Sequence, residues 1–193
     1  MSCNSRTLAG FDGACERSLG GIKVIYLATY AENTFTISAE EDGATGNVTA
    51  VATPTAFKKY TFRKGTGSLT STLNVDDANG VNYVGTDVVL QMTKMQSASR
   101  LEINALALGG CMGIVIDANG TAFAIGTEQE VNASAGTGQS GTSVGDGNYY
   151  QCTLHDDRSD MPPILTPEAL AAFEAAQAGG NNSGTQGSQG TQG

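Results

Sequence analysis

Short segments rich in β-branched and aromatic residues, separated by Gly, Asn and Asp, recur along most of the chain. This pattern favours strands over helices, because such side chains suit the pleated surface of a sheet. The clearest alternation lies between Phe57 and Asn74, where side chains change character at a period of two, as expected for half-exposed strands. Further strands are predicted at residues 22–27, 34–38, 48–52, 81–92, 111–116, 121–126 and 149–154.

Turn residues predict where these strands reverse direction. The tetrapeptide Asp-Ala-Asn-Gly occurs at residues 77–80 and again at 117–120, and Asn and Gly tolerate the positive φ angles of tight turns. Each copy is therefore predicted to form a hairpin, and residues 40–43 (Glu-Glu-Asp-Gly) are predicted to form another turn. We interpret the repeat as common turn chemistry. An internal duplication stays an alternative, although the flanking strands share little.

One helix is predicted inside the domain, at about residues 97–109. Ser97 is a favourable N-cap, and Gly109-Gly110 ends the helical pattern. Apolar side chains at helical spacing predict a stripe that lies flat on a sheet, with polar side chains facing solvent. The predicted stripe is Leu101, Ile103, Ala105, Leu106 and Leu108, and the predicted solvent-facing residues are Arg100, Glu102 and Asn104.

The length of 193 residues fits one domain with an extension at each end. The predicted parts are an N-terminal arm (1–20), a β-rich domain (21–156), a Pro-containing linker and short helix beginning at Thr166-Pro167 (157–178), and a Gly/Gln/Asn-rich flexible tail (179–193). Residues 132–148 are predicted to be a polar loop that needs a partner surface or stays mobile. The predicted fold is mainly β, a twisted antiparallel β-sandwich or barrel with one flanking α-helix.

The charge of the chain limits the classes of partner. Charged residues make up 15%, against roughly 25% in a typical soluble domain, and Gly, Thr, Ser, Asn and Ala fill the surface positions instead. The formal net charge of -9 disfavours tight nucleic-acid binding, which needs clustered Lys and Arg, but it suits a conduit to which DNA does not stick. No apolar run approaches the roughly 20 residues of a membrane span, so we expect synthesis in the cytoplasm without membrane contact.

The sequence predicts no catalytic, cofactor-binding or metal-binding residues. His155 is the single histidine and is interpreted as a solvated residue at a strand end. The acidic groups at 40–42, 76–77 and 156–160 lie beside turn residues and lack EF-hand spacing, so solvated turns are favoured over calcium loops, with weak calcium contacts left open. Residues 136–141 match a dinucleotide motif only in their letters. The cysteines are predicted to be reduced and buried, since they form no C-x-x-C pair: Cys3, Cys15, Cys111 and Cys152.

The order of these elements resembles virion structural proteins of tailed bacteriophages, particularly tail tube-like subunits of Bacteroides-type phages and prophages. The segments that carry the resemblance are residues 21–28, 88–95 running into 100–106, 114–120, 124–126 and 145–149. The resemblance covers roughly residues 20–155. It implies a β-sandwich or barrel with a flanking helix, six copies in a ring, stacked rings and no cofactor. It also implies a long hairpin that reaches a neighbour, for which residues 69–92 are the candidate.

The leading hypothesis is therefore a tail tube subunit that forms stacked hexameric rings, contacts other tail or virion proteins, and carries DNA only as non-specific cargo. The expected location is the virion tail, after assembly in the cytoplasm of a host bacterium. One alternative is another virion structural role, in capsid decoration, head–tail joining or the baseplate. A second is a carbohydrate-binding or adhesin β-sandwich, which the absence of Trp disfavours. An enzyme is not expected.

Overall fold

The computed structural model describes residues 17–39, 46–63, 65–76 and 78–180. In chain order these residues form β1 (Ile22–Thr29), β2 (Phe35–Ile37), β3 (Val48–Val51), a short 3₁₀ helix (Pro54–Ala56), β4 (Lys58–Thr61), β5 (Ser68–Asp76), β6 (Val81–Thr93), α1 (Ser97–Leu108), β7 (Cys111–Asp117), β8 (Ala122–Ile125), β9 (Asn132–Gln139), β10 (Tyr149–Arg158) and α2 (Pro167–Gly180). Residues 1–16 of the predicted arm (1–20), the turn at 40–43, Cys3, Cys15 and residues 181–193 of the predicted tail (179–193) lie outside the described residues.

The prediction of a mainly β, antiparallel fold with two α-helices is confirmed. One four-stranded sheet has the order β4-β1-β7-β8, and we call it the central sheet; a second has the order β5-β6-β10-β9, and we call it the outer sheet. All pairings in both sheets are antiparallel. The two sheets keep separate strand orders with edge strands, so the sandwich is the correct form and the closed barrel is not.

The central sheet is buried on both faces, which explains why β7 is an unbroken apolar run. One face packs against the outer sheet through a core that includes Ile25, Val115 and Leu154. The other face is covered by β2, β3 and α2. Phe173 of α2 is fully buried there, with its ring edge-on to Tyr26 at 5.0 Å between centroids. Burial of such a side chain contributes roughly 1.5–3 kcal/mol, so α2 is held firmly to the domain.

The C-terminal part of the chain is more closely integrated than the predicted linker. The predicted boundary after residue 156 falls inside β10, which continues to Arg158. Beyond it, Ile164 bridges to Phe123 and Leu165 bridges to Val48, so the segment joins strands from two layers. The helix α2 then continues to Gly180, past the predicted start of the flexible tail at 179.

The predicted contact face of α1 is largely wrong. The N-cap is Gln96 rather than Ser97, with reciprocal hydrogen bonds between Gln96 and Ser99. Among the predicted stripe, Leu106 is buried, but Leu101 is exposed and Leu108 is 91% exposed. The helix α1 contacts β9 and β10, and of the predicted stripe only Leu106 and the half-buried Ile103 pack against the core there.

The predicted loop at 132–148 is also wrong in its first half, which forms strand β9 paired with β10. Backbone hydrogen bonds order this Gly/Ser/Thr/Ala segment, and such bonds need no apolar side chains. The second half is a turn built on Asp146, whose Oδ2 accepts hydrogen bonds from the backbone N–H groups of Thr142 (2.7 Å) and Ser143 (2.8 Å). These bonds lower the pKa of Asp146 to about 2.

Both predicted hairpins are present, and their turns differ in detail. In the second, Asp117 Oδ1 accepts a hydrogen bond from Asn119 N (2.9 Å), and the Asn119 side chain bonds both backbone groups of Leu19. This turn therefore anchors the described end of the predicted N-terminal arm. In the first, the carboxylate that accepts the turn N–H of Ala78 belongs to Asp76, one residue before the tetrapeptide.

Candidate functional surface

The outward side of the outer sheet is a broad polar surface, which we call the polar face. Alternation along the paired strands places one set of side chains on it and the opposite set in the core. Its members are Ser68, Thr70, Thr72, Asn74 and Asp76 of β5; Val81, Tyr83, Gly85, Asp87, Val89, Gln91 and Thr93 of β6; Ala135, Thr137 and Gln139 of β9; and Tyr149, Gln151, Thr153, His155 and Asp157 of β10.

The polar face carries acids but no permanent cation. Within these four described strands the single Lys or Arg is Arg158, and it is buried on the opposite side of the sheet. The carboxylates of Asp76, Asp87 and Asp157 remain on the surface among hydroxyl and amide side chains. Exposed cations lie elsewhere, notably Lys58 and Lys59 of β4 in the central sheet. The exposed charge of the polar face is therefore acidic, although further acids, such as Glu102 of α1 and Glu174 of α2, lie outside this face.

His155 lies within β10, so its predicted position at a strand end is wrong, but its side chain is on the surface of the polar face and is 37% exposed. Its Nδ1 is 2.7 Å from Asp87 Oδ1 and its Nε2 is 3.1 Å from Asp157 Oδ1. The hydrogen bond to Asp87 is the main cause that raises the pKa of His155 above its usual 6.5. Gly85 sits beneath the ring, where an added Cβ would approach His155 Cε1 to 3.4 Å. With both ring nitrogens engaged, His155 has no free nitrogen for base catalysis.

A buried ionic network fixes the connection between β8 and β9, and it corrects the prediction that the acids at 156–160 are all solvated. Asp156 is buried and its Oδ2 accepts a hydrogen bond from Gly126 N at 3.0 Å. Arg158 is also buried, and its Nη1 donates to Thr127 Oγ1 at 2.6 Å while its Nη2 donates to Glu128 Oε1 at 3.3 Å. Burial raises the pKa of Asp156, and the Gly126 N–H and the Arg158 charge oppose that rise. The network is structural, since it lies inside the fold.

The outer sheet ends in two strands that are each paired on one side. Strand β5 pairs with β6 and β9 pairs with β10, and neither has a second neighbour among the described strands. The side chains of β9 are small and mostly exposed, so its free edge is sterically accessible. An accessible edge of this kind is a template for pairing with another chain.

The other sequence features considered as possible sites do not come together in the described structure. The segment at 136–141 runs through the end of β9 into a turn and is followed by a strand rather than a helix, which is the wrong geometry for a dinucleotide site. Cys111 and Cys152 are buried and unpaired, and burial raises the pKa of the Cys111 thiol to about 12. Within the described part of the chain, no cluster of His, Cys, Asp or Glu side chains is arranged to hold a metal, and no helix is long and apolar enough to cross a membrane.

Comparison with known proteins gives no match to a family model, a curated protein or a solved structure. The resemblance to tail tube subunits therefore rests on the sequence pattern, and the function has to be argued from the surface itself.

Proposed function

We propose that this chain is a structural subunit of a phage virion, and specifically the tail tube protein whose stacked hexameric rings conduct DNA. The observation that carries the proposal is the polar face, a four-stranded surface with exposed acids and many hydroxyl and amide groups, on which no Lys or Arg side chain of its four described strands is exposed. Double-stranded DNA carries one negative charge per about 1.7 Å, and proteins hold it mainly by neutralising phosphates with cations. A wall without exposed cations does not bind the phosphates, so DNA can move past it.

The two free edges of the outer sheet supply a way to build that wall. In the proposed ring, β9 of one copy pairs with β5 of the next, which extends the outer sheet from copy to copy and turns the polar face toward the bore. The contact joins two different surfaces, so it is heterologous, and such contacts close into rings when the rotation between copies allows. The six-fold number comes from the sequence resemblance. Other tail or virion proteins would then bind the ends or outside of the tube.

The same fold could also serve another virion structural role or carbohydrate binding, and each makes a different demand on the polar face. A capsid decoration, head–tail joining or baseplate protein would not need a bore lined by the polar face. A carbohydrate-binding sandwich stacks sugar rings on clustered aromatics, whereas the tyrosines of the polar face, Tyr83 and Tyr149, lie near opposite ends of the sheet. The absence of cations on a large flat surface favours the conduit over both.

The test blocks the free edge of β9 in one variant and compares it with a control variant that carries the same added charge on β10. The variant Ala135→Lys/Thr137→Lys puts two lysines on the free edge strand, where Lys disfavours edge pairing. The control Gln151→Lys/Thr153→Lys adds the same charge at the directly paired positions of β10, which is an interior strand. Electron microscopy and mass photometry of concentrated protein should show rings for the wild type and the β10 control, and monomers for the β9 variant.

Two results would contradict the proposal. A wild-type protein that stays monomeric at every concentration would remove the self-assembling tube and leave roles that wait for another virion protein. Rings that form equally well with the β9 variant would show that the outer sheet does not build the wall.

A further inference from the structure

The side chains of the edge strand β9 specify its register on β10 only weakly. Between its ends, Asn132 and Gln139, the strand contains only Ala, Ser, Gly and Thr, and most of its residues are exposed. Gly-rich strands without a distinct buried set of side chains are prone to slip. The pairing of β9 already shifts by one residue opposite Thr153 and Leu154. Contacts outside the strand therefore have to fix its position.

The ring of Tyr150 opposes a slip of β9 in one direction. Gly138 lies directly opposite Tyr150, and an added Cβ at Gly138 would approach Tyr150 Cε1 to 2.7 Å. The ring thus occupies the space that a side chain of β9 would need. A slip by two residues, which keeps both faces of the strand, can bring Ser140 opposite Tyr150. Movement in that direction forces the ring out of its place.

The ring does not oppose a slip by two residues in the other direction. That slip brings Gly136 opposite Tyr150, and Gly136 has no Cβ to meet the ring. It moves β9 by about 7 Å, since a strand rises about 3.3 Å per residue. The connection from β8 has to supply this length. Its backbone bends at residues 126–129 instead of running extended, so straightening of these bends would supply it.

The buried ionic network and the residues beside it hold these bends against the end of β10. Glu128 accepts three hydrogen bonds, from Arg158 Nη2 (3.3 Å), Ser159 Oγ (2.8 Å) and Ser159 N (3.1 Å). Gln129 Nε2 donates a fourth to the backbone carbonyl of Asp157 at 2.6 Å. The Arg158 side chain is fully buried, so β10 fixes where its guanidinium lies. The connection cannot straighten while these contacts persist.

Val131 provides a second anchor between the connection and β9. It is buried, and it exchanges two backbone hydrogen bonds with Cys111 of β7, at 2.8 and 2.9 Å. This anchor lies in the core, whereas Glu128 lies at its boundary with solvent, with its side chain 38% exposed. A substitution of Glu128 therefore releases the bends without altering the core.

We propose that the buried ionic network sets the register of β9 on β10, with Glu128 and Arg158 as positioning residues for the free edge that the chain offers to a second copy. A slip of about 7 Å would displace every backbone donor and acceptor on that edge. The edge would then be out of line with β5 of the next copy. The consequence for assembly rests on the proposed function, whereas the register is a property of a single copy.

Pairs of cysteines on the polar face can report the register, because a disulfide needs Cα atoms within about 7 Å. Thr137→Cys/Gln151→Cys places them directly opposite each other in the observed register. Ala135→Cys/Gln151→Cys becomes directly opposite only after the slip that brings Gly136 to Tyr150. Gln139→Cys/Gln151→Cys becomes so only after the opposite slip. Diamide oxidises each pair of thiols to the disulfide, and peptide mass spectrometry measures the cross-linked fraction.

Each reporter is made with and without Glu128→Ala, in a Cys3→Ser/Cys15→Ser background. Glu128→Ala should raise cross-linking of the pair at 135 and 151 by about ten-fold, on the scale of one lost hydrogen bond to a charged group, and leave the pair at 139 and 151 unchanged. Gln129→Ala removes a single contact and should act in the same direction by a smaller factor. The control Glu174→Ala, an exposed glutamate of α2, should cross-link like the parent.

Two cross-linking patterns would overturn the proposal. Equal increases in both off-register pairs would mean that Glu128→Ala frays β9 instead of shifting it. No increase in either pair would leave the register to Val131. Electron microscopy of the same variants without the reporter cysteines tests the consequence, and Glu128→Ala should form fewer rings than Glu174→Ala. A wild type that forms no rings would overturn the proposed function, while the cross-linking still decides the register.

Discussion

The imidazole of His155 lies between two carboxylates on the surface proposed to line the bore, so its protonation sets the charge of that cluster. Its raised pKa means that the folded protein binds the proton more tightly than the unfolded chain does. The resulting stabilisation is fully present below about pH 6.5 and is lost as pH rises through the folded pKa. Because the side chain is 37% exposed, solvent screens the pair and the effect is expected to be below about 1 kcal/mol.

His155 is the single histidine, so its titration can be followed directly by NMR as one imidazole signal. We expect a pKa above 6.5, a clear decrease in Asp87→Asn, and a smaller decrease in Asp157→Asn, since the hydrogen bond to Asp87 is the main cause of the shift. A wild-type value at or below 6.5 would show that the two carboxylates do not hold the ring in solution. Thr70→Asn, opposite Asp87 on β5, serves as a control that leaves both carboxylates in place.

The Asp156–Arg158 network makes a sharper prediction about stability. Arg158→Met leaves the buried carboxylate without its cation, so we expect a loss of about 3 kcal/mol or more in the free energy of unfolding. The double variant Asp156→Asn/Arg158→Met should lose less than the sum of the two single variants, because it no longer contains an uncompensated buried charge. Urea denaturation of the four proteins measures this coupling, and strictly additive losses would contradict it. A surface change such as Glu174→Gln provides a baseline.

At the scale of elements, periodicity in the sequence was sufficient for most strands and for both hairpins. The segments around Ile25, Val88 and Val115 carry apolar runs or alternation because they contribute to the core between the sheets. Strand β9 escaped prediction because its order comes from backbone pairing with β10, and no side-chain pattern records that pairing. A polar edge strand looks like a loop in its sequence.

The candidate surface could be predicted only in its general chemistry. The Thr-rich character of residues 68–76 was visible, but the cluster around His155 depends on the register that places Asp87 opposite it, across a separation of 68 residues. The buried positions of Asp156 and Arg158 follow from their sharing a side of β10 with Leu154. The spacing of two residues between Leu154, Asp156 and Arg158 is visible in the sequence. It predicts burial of Asp156 and Arg158 only if β10 continues beyond residue 154.

The sequence also could not predict which apolar residues of α1 are exposed. Helical spacing identifies side chains on one face, but it does not tell how much of that face another element covers. Leu106 meets the core, while Leu101 remains exposed to solvent. A helix whose sequence looks amphipathic thus buries only part of its apolar face in the core and leaves the rest exposed.

At the scale of the whole molecule, the separation of charge gives the proposed assembly a direction. The acids of the polar face point toward one side of the sandwich, and the cations near β4 lie in the other sheet. With lateral pairing of β9 and β5, every copy in a ring presents the same acidic face inward. Three of the 19 acids of the chain, Asp76, Asp87 and Asp157, would then line the passage for DNA on a surface where the described strands expose no Lys or Arg.

This arrangement predicts that wild-type assemblies bind DNA weakly and that cations on the polar face reverse this property. Gln151→Lys/Thr153→Lys, the variant expected to assemble normally, adds two positive charges per copy beside His155. Its affinity for a short DNA duplex should exceed that of the wild type and should fall steeply as salt rises, since log K decreases by about 0.9 per neutralised phosphate for each unit of log salt. Fluorescence anisotropy across a salt series measures both quantities. Strong, salt-sensitive binding by the wild type would mean that the polar face is not the wall of a passive conduit, because such a wall has to release the phosphates it meets.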